Sequence, residues 1–281
     1  MAYLLLAIIC SSSIALIFKY SEQKELNRYL ITSINYLIAF SISLSLGVNL
    51  NNSPQMLNIA FLGMAGGVFF FLSFVFYQVC IRKSGASLSG AFGKMGILLP
   101  MIFSIFIWNE IPGIIQWIGI CTALFSIIMV YLPTKNVNNK KNISHFHYFL
   151  IFLFIFGGMA EFFNKIFQYY FSADYKSTFL FFLFITAFVI SSLFVLTKNR
   201  KRPTRRDVLT GIIVGIPNYF SSYFLIISLD SIKASIAFPI YSAGSILLIN
   251  LGSMILYREK LRKIEKIAIV LSAFALVLVN L

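Results

Sequence analysis

The stretch that decides the fold is residues 85–132, "GASLSGAFGKMGILLPMIFSIFIWNEIPGIIQWIGICTALFSIIMVYL". Residues 233–281, "KASIAFPIYSAGSILLINLGSMILYREKLRKIEKIAIVLSAFALVLVNL", repeat its order of small, apolar and charged residues. Glu110 in the first stretch corresponds to Glu259 in the second, with one residue of slippage. The sequence therefore predicts a chain made of two similar halves.

The composition of the chain indicates an integral membrane protein. Hydrophobic residues make up 59% of the sequence and charged residues only 11%, whereas a soluble domain has about 25% charged residues. The net charge is +14, but the Lys and Arg residues lie in short loops between apolar runs. That distribution is typical of cytoplasmic loops at a lipid bilayer and does not favour a nucleic-acid partner.

Ten apolar runs are long enough to cross a membrane, which takes about 20 residues in a helix. The predicted spans lie near 2–18, 29–49, 57–80, 86–107, 113–132, 148–171, 177–197, 208–228, 234–256 and 264–280. A polar linker, 133–147, separates a first repeat, 1–132, from a second, 148–281. Two repeats with an odd number of spans must lie in opposite orientations. We therefore predict an all-α membrane protein with ten transmembrane helices in two inverted five-helix repeats, an arrangement typical of secondary transporters.

One pattern runs from Ala86-Ser87 through Pro100 and Glu110 to Gln116-Trp117-Ile118-Gly119. This pattern resembles a known family, the EamA domain of the drug/metabolite transporter superfamily. The second half is similar but looser, with Glu259, then Glu265 in place of the Gln and Ala268 in place of the Gly. Ser11-Ser12-Ser13 stands where family members often carry a Trp-Gly pair. The resemblance implies a ten-helix transporter that exports, imports or exchanges small metabolites.

The distribution of basic residues predicts an orientation in the membrane. All but four of the 23 Lys and Arg residues lie in the connections after spans one, three, five, seven and nine. The positive-inside rule places those connections in the cytoplasm and both termini outside, whereas the family resemblance implies termini inside. The predicted location is the cell (inner, or cytoplasmic) membrane, with multiple spans. The four other residues are Lys94, Lys165, Lys176 and Lys233.

Polar residues inside the sixth span point to a functional site. An ionisable side chain at the centre of a membrane helix costs about 2.5–3.5 kcal/mol on insertion scales, so it is a functional hypothesis by default. Glu161, Asn164, Lys165 and Gln168 fall on one helix face. Either Glu161 and Lys165 form an ion pair within the helix, or the stripe lines a transport pathway.

The other candidate residues lie on the fourth, eighth and ninth spans. Lys94 is near the middle of the fourth span, where it either pairs structurally with Glu161 or binds an acidic group of the substrate. Asn218 follows Pro217, and Tyr241 lies near Pro239. The predicted substrate-binding residues are Lys94, Glu161, Asn164, Lys165, Asn218 and Tyr241.

The expected function is secondary active transport of small polar metabolites, such as amino acids or organic anions, by an exporter or exchanger. The sequence contains no GxxxxGK[ST] nucleotide loop, so a proton or cation gradient, or exchange, is expected to supply the energy. The predicted spans hold neither His nor clustered Asp, which argues against an enzyme with catalytic residues, a metal site or a cofactor. The alternatives are a multidrug or cation exporter and a lipid-linked sugar flippase. A monomer and a homodimer are both open.

Overall fold

The structure, a computed structural model, describes residues 1–49, 54–131, 143–198 and 202–258, with scattered positions from 264 to 278. Within these residues the regular structure is helical, and no strand occurs. The helices are α1 (Ala2–Gln23), α2 (Arg28–Ser45), α3 (Pro54–Met95), α4 (Leu98–Trp108), α5 (Ile114–Tyr131), α6 (Ile143–Tyr170), α7 (Lys176–Lys198), α8 (Arg205–Ser231) and α9 (Ala234–Tyr257), and the short 3₁₀ helix Ala173–Tyr175 precedes α7.

Six helical segments in this part of the chain are long and apolar enough to cross a membrane. They are Ala2–Gln23, Gln55–Cys80, Tyr148–Tyr170, Ala173–Thr197, Arg205–Ser231 and Ala234–Tyr257. Gly93–Trp108 and Ile114–Phe125 are shorter apolar helices. The fold is therefore that of an all-α membrane protein. Most of the tenth predicted span, 264–280, lies outside the described residues, as do Glu259 and Glu265.

The long helix α3 doubles back on itself. A Cβ built on Gly157 of α6 would lie 3.5 Å from Ser73 Oγ and 3.4 Å from the carbonyl oxygen of Gly93. In a straight helix, residues 73 and 93 would be about 30 Å apart, at 1.5 Å per residue. The chain must therefore reverse between them, so that both arms of α3 pack against α6.

The chain reverses between residues 73 and 93, as a connection at 81–85 requires, but the helical backbone there differs from the prediction. The expected connection, 81–85, has helical backbone, and the break falls at Gly96–Ile97, inside the predicted fourth span. The physical reason is Pro100. Its ring clashes with the carbonyl four residues earlier, at Gly96, and it has no N–H to donate. When the helix restarts at Leu98, Pro100 falls in the first turn of α4, where backbone N–H groups have no partner within the helix.

The predicted sixth span agrees with the structure, but its helix begins earlier. The apolar segment is Tyr148–Tyr170, as expected for 148–171, whereas α6 begins at Ile143, inside the predicted polar linker 133–147. A helix that leaves the bilayer can continue in water, because its backbone hydrogen bonds are all internal. Hydropathy therefore marks the membrane-embedded part of the helix and not its first residue.

Helices from one half of the sequence pack mainly on helices from the other half. The helix α3 packs against α6 and α7, while α8 packs against α1 and α2. Glycines allow the close approach: a Cβ on Gly63 of α3 would lie 2.7 Å from Phe182 Cβ, and one on Gly211 of α8 would lie 2.7 Å from Ile34 Cβ. Each sequence half therefore needs the other half to bury its helix faces.

Gly158 of α6 makes the closest helix contact near the break in α3. A Cβ on Gly158 would overlap the carbonyl oxygen of Gly96 and lie 2.7 Å from Leu99 Cδ1. We predict that Gly158→Ala lowers the free energy of unfolding in detergent by about 1–3 kcal/mol, the usual cost of overpacking. The control is Gly113→Ala, whose added Cβ would have its nearest neighbour at 3.6 Å. Equal stability of the two variants would contradict the packing of α4 against α6.

Candidate substrate-binding site

A cavity of about 150 Å³ lies where α1, α3, α6, α8 and α9 meet. Its polar wall consists of Ser11, Ser73, Tyr77, Lys94, Glu161, Asn218, Ser221, Ser222 and Tyr241. Its apolar wall includes Phe70, Phe74, Ile97, Leu153 and Ile249. Two of the hydrophobic clusters that form the core contribute to this wall, because Phe70 belongs to one and Ile97 to the other. The cavity therefore lies between the two main packing units of the bundle.

Lys94 lies in the last turn of α3 and faces the cavity. Its Nζ donates a hydrogen bond to Ser11 Oγ at 2.5 Å and lies 4.5 Å from the ring centroid of Tyr241. The carbonyl oxygen of Lys94 accepts a hydrogen bond from Ser242 Oγ at 3.0 Å. Helices α1 and α9 thus hold the end of α3 in place. A lysine ammonium has three N–H donors. Because Lys94 uses one of them on the Ser11 hydroxyl and places its charge over the Tyr241 ring, it can still donate a hydrogen bond to a ligand.

Glu161 faces the same cavity from α6. Its Oε2 accepts a hydrogen bond from Asn164 Nδ2 at 2.9 Å. The oxygen of the Asn164 amide, Oδ1, is buried and has no hydrogen-bond partner among the described residues. Glu161 and Lys94 attract each other electrostatically, but they make hydrogen bonds to different neighbours. The cavity therefore has a cationic side and an anionic side.

The polar groups of α8 and α9 are fixed by hydrogen bonds across the bundle. Tyr241 and Ser221 share a hydrogen bond, with 2.9 Å between their hydroxyl oxygens. Asn218 Nδ2 donates to Asn35 Oδ1 of α2 at 3.0 Å. Both α8 and α9 remain helical through their internal prolines, Pro217 and Pro239. These hydrogen bonds give the polar wall a defined shape.

Lys165 does not reach the cavity, although it follows Glu161 by one helical turn. Its Nζ donates to Glu110 Oε1 at 2.6 Å and to Gln168 Oε1 at 2.8 Å, and the whole residue is 1% exposed. The ion pair of Lys165 is therefore with Glu110 of the α4–α5 connection and not with Glu161. Glu110 Oε2 also accepts a hydrogen bond from the backbone N–H of Ala234 at 2.6 Å. Glu110 therefore caps the first turn of α9, which belongs to the other half of the sequence.

The structure brings four of the six predicted site residues to one cavity. Lys94, Glu161, Asn218 and Tyr241 line it. Asn164 stands behind Glu161, and Lys165 belongs to another cluster. Ser11 and Asn35 were not among the predicted site residues. The only signal was weak: Ser11 belongs to a run of three serines inside an apolar span, and Asn35 is an isolated amide in the second span.

The EamA-like transporter family matches residues 1–132 and 144–281, which is almost the whole chain. The chain belongs to the EamA-like transporter family. An uncharacterized protein of Haemophilus influenzae is 20% identical to this EamA-like chain over an alignment of 281 positions. The alignment covers 97% of this chain and 95% of the relative. A crystal structure of a protein shares the fold, with a TM-score of 0.78 at 17% identity, over 99% of this chain and 94% of that one.

Membership in the EamA-like family confirms the resemblance seen around Glu110 and places the chain in the drug/metabolite transporter superfamily. The protein is therefore a membrane transporter of that superfamily. The described residues contain no group of three or more His, Cys, Asp or Glu side chains that could hold a metal ion. The polar side chains that line the cavity can offer a ligand hydrogen bonds and charge attraction.

The two functions of the Tyr241 side chain can be separated by substitution. Tyr241→Phe removes the hydrogen bond to Ser221 Oγ but keeps the ring beneath Lys94. We predict that it lowers the free energy of unfolding by about 0.5–1.5 kcal/mol. Tyr241→Leu also removes the cation–π contact and should cost about 0.5–2 kcal/mol more. Unfolding in detergent measures the free energy of unfolding of both variants. If Tyr241→Leu is as stable as Tyr241→Phe, the result contradicts the Lys94–Tyr241 contact.

Proposed function

We propose that this EamA-like transporter is a secondary active exporter or exchanger of small polar metabolites, with amino acids as the best-fitting class and organic anions as the next. In this proposal the chain forms ten transmembrane helices in the cell (inner) membrane, with repeats 1–132 and 148–281 in opposite orientations. The substrate binds between the repeats, at the cavity that Lys94 and Glu161 face, and reaches either side of the membrane by alternating access.

The observation that carries the proposal is the pair of opposite charges in one cavity. A substrate carboxylate would accept charge-assisted hydrogen bonds from Lys94, and a substrate ammonium would donate to Glu161, which Asn164 holds from behind. A ligand with a single charge would satisfy one side of the cavity and leave the other charge buried without a ligand partner. Leaving a buried charge uncompensated is costly, so the site favours zwitterions.

The apolar wall supports a substrate with a hydrocarbon part. Phe70, Phe74 and Ile97 line the same cavity as the polar residues, and binding sites for small molecules combine such apolar surfaces with a few well-placed polar groups. An amino acid has its two charges at one end and its side chain at the other. This cavity likewise combines two opposite charges, Lys94 and Glu161, with an apolar wall.

Matching helix ends support the inverted repeats. The helix α4 ends at Asn109, with φ 52°, whose N–H bonds to the Ser104 carbonyl. The helix α9 ends at Arg258, with φ 51°, whose N–H bonds to the Ser253 carbonyl. Left-handed conformations are uncommon outside glycine, so two such ends at corresponding positions of the halves favour a common repeat.

Transport by reconstituted protein tests the proposal. We predict that Lys94→Met and Glu161→Gln each slow amino acid transport in proteoliposomes at least about tenfold, equivalent to 1.4 kcal/mol. An organic anion should be affected by Lys94→Met alone, and an organic cation by Glu161→Gln alone. The matched controls are Lys24→Met and Glu25→Gln, because both side chains are exposed between α1 and α2.

The same assay separates the alternatives. Normal amino acid transport in both cavity variants would refute the proposed site. Transport of hydrophobic cations that survives Lys94→Met and is lost in Glu161→Gln would favour a multidrug exporter. Movement of a lipid-linked sugar, with no transport of water-soluble substrates, would favour a flippase.

A further inference from the structure

Lys165 and its neighbours close the bundle at one end of the cavity. The lysine lies one helical turn beyond Glu161, which faces the cavity. It is buried, paired with Glu110 at 2.6 Å, and its Nζ lies 5.4 Å from the ring of Trp108 and 5.6 Å from the ring of Tyr169. An ammonium that is so enclosed leaves no opening for a substrate beside it.

This closure joins several segments of the chain. Glu110, at the α4–α5 connection, accepts a hydrogen bond from the N–H of Ala234, the first residue of α9. Gln168 of α6 donates to Asp230 Oδ1, near the end of α8, at 3.2 Å. We call Lys165, Glu110, Trp108 and Gln168 the Lys165 cluster. It ties α4 and α6 to the α8–α9 connection.

A second lysine makes a similar contact at the opposite end of α9. Lys19 Nζ of α1 donates to Ser253 Oγ at 3.1 Å and lies 4.9 Å from the ring of Tyr257. Tyr257 donates its hydroxyl hydrogen to the Leu16 carbonyl at 2.6 Å. We call Lys19, Ser253 and Tyr257 the Lys19 cluster.

The two clusters lie at opposite faces of the membrane. Ala234 begins α9 at the Lys165 cluster, and Tyr257 ends it at the Lys19 cluster. A 24-residue helix is about 36 Å long, which slightly exceeds the hydrocarbon thickness of a bilayer. The cavity lies between the clusters, because Tyr241 and Ile249 of α9 both line it.

The clusters are also equivalent in the two halves of the sequence. Lys19 of α1 corresponds to Lys165 of α6, and Tyr257 of α9 corresponds to Trp108 of α4. In each case the lysine lies over the last aromatic ring of a helix that ends in a left-handed residue. Burial differs, however: Lys165 is fully enclosed, whereas Lys19 is only partly buried.

We propose that the Lys165 and Lys19 clusters are the two gates of the transporter, and that the structure has the Lys165 gate closed. This inference rests on the proposed transport function and adds the residues that open and close the path. When the Lys165 gate opens, the ion pair separates as both charges gain water, so neither is left buried alone. The Lys19 gate tightens at the other face, so the cavity opens to one side at a time.

Labelling of one cysteine in the cavity tests the gates without any substrate. The native Cys10, Cys80 and Cys121 are replaced by alanine, and Ser222→Cys supplies a reporter that lines the cavity. A membrane-impermeant methanethiosulfonate reagent is then applied from each side of oriented vesicles. The rate of reporter labelling from each face measures the opening at that face.

The gate variants should change labelling in a face-specific way. Glu110→Gln removes the charge that holds Lys165 but keeps an acceptor for the N–H of Ala234. We predict that it speeds labelling from the face of the Lys165 cluster at least about fivefold, the lower end of usual couplings between sites. Lys19→Met should speed labelling from the opposite face only. The control is Lys176→Met, because Lys176 is a buried lysine near the same face as Lys165, over the ring of Tyr223.

An unchanged rate in Glu110→Gln, or equal acceleration from both faces, would overturn the gate assignment. If Glu110→Gln does not fold, the double variant Glu110→Gln/Lys165→Met, which leaves no unpaired charge, must show the same face-specific acceleration. Because labelling needs no substrate, its outcome is independent of the substrate class. If Lys94→Met loses amino acid transport but its reporter is labelled at the normal rate, the variant affects substrate binding and not the gates.

Discussion

The constraint on which this structure depends is the lack of water inside a bilayer. A charge there must find its partner within the protein. The chain satisfies its buried charges in two ways. Lys165 has a close ion pair with Glu110 and no free space around it. The ammonium of Lys94 contacts the hydroxyl of Ser11 and the ring of Tyr241, and it faces a cavity. The first arrangement is complete without a ligand, while the second has capacity for one.

The glycine contacts of the bundle explain how a cavity with both charges can form. Gly157 and Gly158 let the two arms of α3 and the start of α4 approach α6 closely. This approach brings Lys94, at the end of α3, to the same cavity as Glu161 on α6. Helix packing through small residues is the usual solution where no hydrophobic effect drives helices together. The packing and the site therefore have one common cause in the sequence.

The sequence predicts the class of fold and the family because both depend on local patterns. Apolar runs mark the spans, and the residues around Glu110 carry the family resemblance. The break at Gly96–Ile97 was not predicted, because it depends on the clash between Pro100 and the Gly96 carbonyl and not on hydropathy. Lys94 and Glu161 could be chosen because intramembrane charges are costly. The partner of Lys165 could not be predicted, because residue spacing along α6 does not show which segment packs beside it, and Glu110 comes from the α4–α5 connection. Ser11 and Asn35 were missed because such residues in membrane helices mostly serve packing.

The central claim is that the cavity binds a ligand carrying both charges, and a matched ligand series tests it most directly. Phenylalanine, phenylpropionate and phenethylamine share a phenyl ring. Phenylalanine carries both a negative and a positive charge, phenylpropionate only the negative charge and phenethylamine only the positive charge. Thermal unfolding of the purified wild-type protein would be measured with each. A ligand at about 100 times its Kd adds about 2.7 kcal/mol of stability. We predict stabilisation by phenylalanine and at least about tenfold weaker binding of the other two ligands. Equal stabilisation by either singly charged analogue would contradict it.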